Sequence, residues 1–530
     1  MSQRHTPVLI VGGALTGLST AVFLAWHGVP CVLVERHPDL LIHPRLRGVN
    51  PRTMELFRQV GVESAIKDAC FASGEGYTWM PVIAQTLADE RYVSPDEPNE
   101  GFDGDAGPCS YGPIDQDRLE ILLRARAEEL GADLRFSTEL TGFRADADGV
   151  TATVADLRDG SAETIRADYL IAADGVSSPI RERLGVPVEG PGVLFHTITV
   201  MADADLTPAL RGRPVSIAYL NHPRPGTVLM AHDDAGKRWI LGVGYSPEHE
   251  SPADYPPERC AGLLREAAGL PDVEVTLRPQ IPGTDVTVLG FPIGAQLARD
   301  YRVGRILIAG DAAHIVPPTG GLGGNTCVQD AHNLAWKLAA VIGGQAGPAL
   351  LDTYHAERHA VGARTLRQAQ AMAGGRMGLP AGEEPELIDM SAMVFGYGYR
   401  SAAVEGGEDR VPLRPRELRG QPGHRAPHVP VTLAGRPIST LDLYGRRWVL
   451  LSGSAATWPE AAEEAGRELG LPIDVHRFGK DLDGDDLEAR HGIGPEGALL
   501  VRPDGFVAWR GDGAASGAAL TGVLRRLLCR

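Results

Sequence analysis

The residues best placed to do chemistry follow a short apolar run at 306–309 that predicts a buried strand. Gly310 and Asp311 come directly after it, so a carboxylate stands at the end of the strand and can accept hydrogen bonds from sugar hydroxyls. Pro317-Pro318 then stiffens a loop of glycines, which lack Cβ, so its backbone can approach a flat ligand and direct N–H groups at an anion. The glycines of this loop are Gly320, Gly321, Gly323 and Gly324.

The glycine loop leads into a helix predicted to begin near Asn325 or Thr326, where Thr326 and Gln329 have the spacing of a capping box. The helix start would place partial positive charge beside the glycines. That suits a ligand that gains negative charge, as a flavin ring does when it is reduced. A helix packed on a strand, with glycines that serve only the turn, is the alternative for this segment taken alone.

The N-terminal residues contain a second candidate site, in which a predicted strand at 8–11 leads into GGALTG, an apolar helix and a second strand ending at Glu35. This order is the dinucleotide-binding fingerprint, and an acid 23 residues after Gly12 would bind a ribose hydroxyl. Ala14 stands where the pattern has its second glycine, so a small backbone shift is expected there. A βαβ unit without a ligand is the alternative. The predicted nucleotide-binding residues are Gly12, Gly13, Ala14, Leu15, Thr16, Gly17, Glu35 and Arg36.

These motifs resemble those of the aromatic-ring flavoprotein monooxygenases, the p-hydroxybenzoate hydroxylase-like class. GDAAHIVPPTGGLGGN, followed by DAHNLAWKLA, is similar to the third FAD motif of that family. Asp174-Gly175 after a buried strand, with Arg181 a short helix away, is similar to the second, which the family links with both FAD and the nicotinamide donor. Since GGALTG would bind FAD, Arg36 is not expected to bind an NADPH phosphate.

The resemblance implies further site residues, position by position. An arginine of the loop at 43–48 would touch FAD, with Arg45 the better match and Arg47 the alternative, and Gln116 would contact the flavin ribityl chain. The carbonyl of Pro318 would face the substrate, while the backbone of Gly324 and Asn325 would lie at the pyrimidine edge of the flavin. The residues so assigned are Arg45, Arg47, Gln116, Asp174, Gly310, Asp311, Pro318, Gly321, Gly323, Gly324 and Asn325.

Composition limits the other functions that the chain could have. The net charge of −17 argues against nucleic acid or an anionic membrane as a partner. The six cysteines form no CxxC pair and no metal-ligand cluster, which favours a reducing compartment, and no metal site is expected. No run approaches the roughly 18 apolar residues of a membrane span. We therefore expect a cytoplasmic protein, with 530 residues arranged in several domains.

The order of predicted elements gives an α/β architecture. A Rossmann-like FAD-binding domain (1–73, 106–185 and 281–400) would be interleaved with a mixed β-sheet substrate domain (74–105 and 186–280). Residues 401–425 read as a connector. The element order of 426–530 fits a thioredoxin-like α/β domain without CxxC, a candidate for contacts between subunits, so the protein is expected to be a monomer or homodimer.

The function implied by the resemblance is a single-component aromatic hydroxylase. NAD(P)H, with NADPH favoured, would reduce FAD, O₂ would add at the flavin C4a, and the hydroperoxide would transfer one oxygen to an electron-rich ring. The C-terminal domain favours a polycyclic aromatic polyketide of anthracycline, angucycline or tetracycline type as substrate. A Baeyer–Villiger oxygenase, a hydroxylase of a simple (halo)phenol and a binding flavoprotein are the alternatives. No catalytic side chain is assigned from the sequence.

Overall fold

A computed structural model of the chain describes residues 3–40, 46–70, 81–94, 106–232, 237–281, 284–377, 387–407, 411–513 and 515–530. The strands within these residues are, in chain order, β1 (Gln3–Val11), β2 (Cys31–Val34), β3 (Pro81–Ala84), β4 (Asp133–Arg135), β5 (Thr138–Ala145), β6 (Val150–Asp156), β7 (Ala162–Ala172), β8 (Val188–Asp203), β9 (Ile217–Leu220), β10 (Thr227–Ala231), β11 (Arg238–Tyr245), β12 (Thr276–Arg278), β13 (Val288–Ala298), β14 (Arg302–Val303), β15 (Ile306–Ile308), β16 (His314–Ile315), β17 (Pro430–Leu433), β18 (Arg436–Ser439), β19 (Trp448–Ser452), β20 (Ile473–Arg477), β21 (Leu482–Asp483), β22 (Ala498–Val501) and β23 (Val507–Gly511).

The α-helices of the described residues are, in the same order, α1 (Leu15–Trp26), α2 (Pro51–Gln59), α3 (Glu63–Ala69), α4 (Gln116–Glu129), α5 (Pro179–Arg183), α6 (Thr207–Leu210), α7 (Pro257–Ala268), α8 (Leu322–Ile342), α9 (Asp352–Met377), α10 (Met390–Phe395), α11 (Trp458–Leu469), α12 (Leu487–Arg490) and α13 (Gly517–Leu527). Among these helices none is long and apolar enough to cross a membrane. The described residues also hold no His, Cys, Asp and Glu cluster that would suit a metal ion.

The first sheet contains the strands that the nucleotide motifs follow. Its order is β14-β15-β7-β1-β2-β4, and the pairs β15–β7, β7–β1, β1–β2 and β2–β4 are parallel. Helices α1 and α8 pack against each other and cover buried strand residues such as Leu9, Leu33 and Leu170. A parallel sheet needs this cover, because its continuous apolar strands are buried on both faces. The predicted Rossmann-like α/β core is therefore present.

The second sheet shows the two-residue alternation of a half-buried antiparallel layer. Its order is β16-β13-β8-β11-β10-β9-β3, with β12 on β8, and only the β3–β9 pair is parallel. Along β11, Trp239 and Leu241 pack under α7 in a closed core, whereas Ile240 and Gly242 face the opposite way. Successive side chains of a strand point to opposite faces, so one set forms the core and the other a wall open to a cleft.

One predicted boundary needs correction. Residues 281–400 were assigned to the FAD-binding domain as a block, but β13 within them pairs with β8 over ten positions, and β16 pairs with β13. The strand therefore belongs to the second sheet. The sheet to which β13 belongs is determined by its hydrogen bonds to β8, about 90 residues earlier in the chain. No local pattern in 288–298 distinguishes the two sheets.

The C-terminal residues form a third layered unit. Its sheet has the order β20-β19-β22-β23, with β19 and β20 parallel and the other pairs antiparallel. Helices α11 and α13 pack on each other over one face of this sheet. Trp336 of α8 and Leu350 belong to the same apolar core, so they connect this unit to the rest of the chain. The C-terminal residues therefore form an α/β unit of their own, as the element order of 426–530 predicted.

Candidate active site

The predicted nucleotide motifs converge at one edge of the first sheet. Gly12 follows β1, Glu35 follows β2, Asp174 lies just beyond β7, and Gly310 lies just beyond β15. These four strands are adjacent and parallel, so their carboxyl ends meet at the same edge. Ligands of open α/β sheets bind at that edge. Three segments far apart in the sequence thus form one site.

The glycines at this edge are required by close contacts with neighbouring residues. A Cβ at Gly12, whose φ is +110°, would lie 2.2 Å from the carbonyl oxygen of Ala173. A Cβ at Gly17 would lie 1.8 Å from the carbonyl oxygen of Gly12. Gly310 has a φ of +64°, and a Cβ there would lie 2.2 Å from Oγ1 of Thr16. Only glycine fits these contacts, so the first and third motifs are pressed directly together.

Glu35 lies beside the first turn, where the fingerprint expects it. Its Oε2 accepts a hydrogen bond from the backbone N–H of Gly13 at 2.6 Å, and its Oε1 accepts one from the N–H of His37 at 2.9 Å. The side chain is 13% exposed and faces the cleft. Oε1 also lies 2.6 Å from Nδ1 of His37, whereas Oε2 has a second lone pair with which it can still accept from a ribose hydroxyl.

The second motif is held rigidly by its own short helix. Asp174 accepts hydrogen bonds from Oγ of Ser178 at 2.6 Å and from the N–H of Ile180 at 3.0 Å. Burial raises the pKa of the Asp174 carboxyl, an effect that these hydrogen bonds partly offset. Arg181 donates to the carbonyl oxygen of Ala312 at 2.8 Å and so joins this motif to the turn after Gly310.

The third motif differs from its prediction at the start of the helix. Helix α8 begins at Leu322, after Gly321 with a φ of +63°, so Gly323 and Gly324 lie inside the first turn. The expected capping box at Thr326 is wrong, because its hydroxyl donates to the carbonyl of Leu322 within the helix. The first N–H groups of the helix, which have no partner within it, border the cleft.

The side chain of Asn325 has a structural role. Its Oδ1 accepts from the backbone N–H of Asn50 at 2.9 Å, and its Nδ2 donates to the carbonyl of Gly321. The carbonyl of Pro318 accepts from the N–H of Gly321 at 3.1 Å, which closes the glycine loop. The loop and helix start are thereby fixed against α2.

The remaining predicted residues also border the cleft where they are described. Gln116 starts α4 and donates to Glu120 at 2.8 Å, while Arg47 forms a buried ion pair with Asp115 over 3.1 Å. Arg45 lies outside the described residues. Arg36, Asp311 and Gly323 line the same cleft, with Oδ1 of Asp311 3.6 Å from the thiol of Cys327.

The cleft extends from these turns to the open face of the second sheet. Its volume is about 1820 Å³, more than the roughly 300–1,000 Å³ typical of a pocket for one drug-sized ligand. The far wall is mostly apolar. The residues of β8, β10, β11 and β13 that line it include Phe195, Val228, Met230, Ile240, Leu289, Phe291 and Ile293.

A buried polar pair in the apolar half of the cleft escaped sequence analysis. Arg376, near the end of α9, donates through Nη1 to the hydroxyl of Tyr219 on β9 at 3.1 Å, and both side chains line the cleft. Burial lowers the pKa of Arg376 to about 10, which leaves the guanidinium charged at neutral pH. Burial raises the pKa of Tyr219 well above that of a free phenol. The two positions are 157 residues apart, so no sequence pattern links them.

Comparison with known proteins agrees with this geometry. Residues 5–369 match the family model of the FAD binding domain, and residues 419–530 match that of the aromatic-ring hydroxylase C-terminal region. The chain belongs to the FAD-dependent aromatic-ring monooxygenases. The resemblance drawn from the motifs is confirmed.

Several relatives of this monooxygenase align with it over nearly its whole length. Tetracenomycin A2 monooxygenase-dioxygenase of Streptomyces glaucescens is 40% identical over 100% of this chain and 98% of its own. The 4-methyl-5-nitrocatechol 5-monooxygenase of a Burkholderia species is 41% identical over 99% and 98%. The crystal structure of aklavinone-11 hydroxylase with FAD and aklavinone superposes with a TM-score of 0.89 at 39% identity, covering both chains completely.

The residues present fit the FAD that this family uses. The turns at Gly12 and Gly310 leave no room for a Cβ, the start of α8 offers backbone N–H groups, and Glu35 offers carboxylate oxygens. The cleft has room for a dinucleotide along the sheet edge and for a second molecule against the apolar wall. The monooxygenase is therefore an FAD enzyme.

Proposed function

We propose that this monooxygenase hydroxylates a polycyclic aromatic polyketide, with NADPH as electron donor and O₂ as co-substrate. One observation carries the proposal: the cofactor edge and a broad apolar wall share a single cleft of about 1820 Å³. A flat tetracyclic ring system needs such a wall, whereas a small phenol would leave most of it uncovered. Relatives named for tetracenomycin and aklavinone support the substrate class.

We infer that the residues along the sheet edge hold the cofactor. Glu35 would bind the ribose, Gly12 to Gly17 the pyrophosphate, and Asp311 the hydroxyls of the ribityl side. The N–H groups at the start of α8 would face the flavin ring, where partial positive charge favours the reduced, anionic form. Bound FAD supplies the redox chemistry, accepting a hydride and delivering one oxygen atom from O₂ to the substrate.

We infer that Tyr219 and Arg376 act on a phenol of the substrate. The Tyr219 oxygen accepts from the guanidinium, so its own O–H is free to donate to a ligand in the cleft. A tyrosine held neutral beside a cation is a strong donor to a phenolate oxygen. The pair would therefore stabilise the deprotonated substrate, whose ring is richer in electrons and more readily hydroxylated.

We also propose that residues 426–530 are a thioredoxin-like domain without redox function. The order β19, α11, β20, β22, β23, α13 and the parallel β19–β20 pair support this assignment.

Each of the six cysteines is a free thiol, consistent with a reducing, cytoplasmic setting.

A simple phenol is the second candidate substrate. The Burkholderia relative, named for 4-methyl-5-nitrocatechol, is as similar to this chain as the polyketide enzymes are. Sequence similarity alone therefore does not separate the two classes, and the size of the apolar wall favours the larger substrate.

Turnover of matched substrates tests the proposal. The FAD-loaded protein is incubated with NADPH and isotopically labelled O₂, once with a tetracyclic polyketide quinone and once with 4-methyl-5-nitrocatechol. We expect one labelled oxygen in the polycycle, a new phenol by NMR, and NADPH consumption matched to product. Turnover of the nitrocatechol alone would overturn the polyketide assignment, and a lactone product would make the enzyme a Baeyer–Villiger oxygenase.

A further inference from the structure

We propose that Asp330 is a positioning residue that clamps both ends of the turn at 310–314, and that the C-terminal loop at 502–506 sets this clamp through Tyr399 and Arg358. The turn presents Asp311 to the part of the cleft along the edge of the first sheet, where the cofactor is proposed to bind. The C-terminal region would thus contribute to cofactor binding without touching the cofactor. The inference rests on the proposed placement of FAD along this turn.

Asp330 holds the turn from behind. Its Oδ2 lies 3.3 Å from the backbone N of Gly310 and 2.6 Å from Nε2 of His314, so one carboxylate oxygen receives both ends of the turn. Asp330 and His314 are fully buried. Asp311 lies between the two clamped ends, and its direction into the cleft depends on them.

Arg358 holds the other oxygen of Asp330. Its Nε donates to Oδ1 of Asp330 at 2.7 Å, and its Nη1 donates to the hydroxyl of Tyr399 at 3.1 Å. Its Nη2 lies 3.3 Å from the carbonyl oxygen of Thr326 in the helix that begins at the cleft. Although burial opposes the charge, Arg358 and His314 hold the pKa of Asp330 below its ordinary value.

The C-terminal loop closes the chain of contacts. The ring of Phe506 stacks on Tyr399 with centroids 4.2 Å apart. Arg502 forms a fully buried bidentate pair with Glu357, the neighbour of Arg358 on α9, at 2.6 and 2.9 Å. The loop therefore fixes both the ring that contacts Arg358 and the helix that carries it.

Such a network is better suited to fixing geometry than to adding stability. Desolvation of a buried ion pair offsets much of its Coulomb attraction, and apolar side chains of the same size are often at least as stabilising. A turn that binds a cofactor, in contrast, needs its cofactor-contacting side chains held within about 0.5 Å of their binding positions. Hydrogen bonds from a second layer of residues provide that precision.

The main test is Asp330→Asn, measured by titrating FAD into folded apoprotein. An amide cannot accept from Arg358 and from both ends of the turn, so we expect the FAD dissociation constant to rise by about tenfold, the loss of one charge-assisted hydrogen bond. The titration is made well below the unfolding temperature, where a loss of global stability alone leaves the folded fraction and the dissociation constant unchanged.

Tyr399→Phe is a milder variant that tests the link to the C-terminal loop. It removes the hydroxyl that contacts Arg358 but keeps the ring that stacks on Phe506, and we expect FAD binding to weaken by about threefold to fivefold. Tyr397→Phe is the matched control, because it removes a hydroxyl from the neighbouring ring, 5.7 Å between centroids, with no effect expected on FAD.

Asp311→Ala separates this inference from the proposed cofactor placement. If Asp311→Ala weakens FAD binding and both Asp330→Asn and Tyr399→Phe bind FAD as the wild type does, the clamp is refuted and the placement stands. If Asp311→Ala leaves FAD binding unchanged, the placement itself is wrong and the clamp falls with it. Equal weakening by Tyr399→Phe and Tyr397→Phe would also refute the link to the C-terminal loop.

Discussion

The two halves of the cleft are built by different means. The half proposed to hold the cofactor, the cofactor half, consists of backbone turns at the ends of β1, β2, β7 and β15, with buried ions such as Asp330 behind them. The half proposed to hold the substrate, the substrate half, consists of side chains from alternate positions of an antiparallel sheet, with Arg376 and Tyr219 as a polar pair among apolar neighbours. Turn geometry tolerates few residue types, whereas an apolar wall accepts many.

The difference explains how one fold can keep one cofactor and serve several substrates. A Cβ at Gly12 or Gly310 would lie 2.2 Å from the carbonyl of Ala173 or the side chain of Thr16, but replacing Met230 or Ile240 changes only the shape of the wall. We therefore expect substitutions in the first half to affect flavin binding, and those in the second to affect substrate choice with flavin retained.

The largest effect is expected from Gly310→Ala. An alanine at a φ of +64° would place its Cβ 2.2 Å from Oγ1 of Thr16, so the backbone strain adds to a steric clash between two FAD motifs. We expect FAD binding to fall by at least about 100-fold, or the protein to be purified colourless. Flavin absorbance per protein measures the effect.

Gly304→Ala is the matched control for that variant. Gly304 has a φ of +58° in the turn between β14 and β15, and a Cβ there would meet nothing within 4 Å. It carries the same backbone cost, about 1–2 kcal/mol, without the clash. Loss of flavin from both variants would show that the contact with Thr16 has no special role.

The next effect concerns Tyr219→Phe. Removing the hydroxyl leaves Arg376 in place but takes away the proposed donor to the substrate phenolate, so we expect kcat to fall by about 100-fold with FAD binding unchanged. Because the variant no longer lowers the phenol pKa of the bound substrate, less of the substrate is ionised at neutral pH, and the rate of the variant should rise with pH toward that pKa. A rate that stays low across that range would contradict the role in stabilising the phenolate.

The sequence alone predicted the turns along the edge of the first sheet because their constraints are local. Gly12, Gly17 and Glu35 stand at fixed spacings since one βαβ turn determines all three positions. The helix start was wrong by a few residues because Thr326 and Gln329 match a cap pattern, whereas Gly321 in a left-handed conformation lets α8 begin at Leu322. The local sequence pattern therefore predicts that a helix is present, whereas the backbone conformation of Gly321 determines the residue at which it begins.

The substrate half could not be predicted because its contacts are distant in the chain. The pairing of β13 with β8 and of β3 with β9, and the meeting of Arg376 with Tyr219, join segments separated by about 90 to 160 residues. The sequence predicted a mixed sheet over 74–105 and 186–280, but no local pattern shows which strands are neighbours or which face is open.

A smaller effect is expected from filling the wall with Met230→Trp. Met230 lines the cleft from β10, and a larger ring there reduces the space for a polycycle. We expect KM for a tetracyclic substrate to rise by about tenfold while FAD binding and activity on a small phenol persist. Steady-state kinetics on both substrates checks this, and an unchanged KM for the polycycle would place the substrate elsewhere in the cleft.

The smallest effect is expected from Arg58→Ala, at an exposed contact between α2 and the C-terminal region. Arg58 pairs with Asp442 at 2.7 Å, but its side chain is 37% exposed, so water screens the pair and its loss should cost less than about 1 kcal/mol of stability. Arg425→Ala is the comparison, because Arg425 pairs with Glu55 in the same region at 1% and 3% exposure. Glu55 would keep its buried pair with Arg52 at 2.8 Å, so the variant should lose about 1.5–3 kcal/mol, the value of a hydrogen bond to a charged group. Equal losses in thermal unfolding would mean that burial does not govern how the C-terminal region holds the cofactor half.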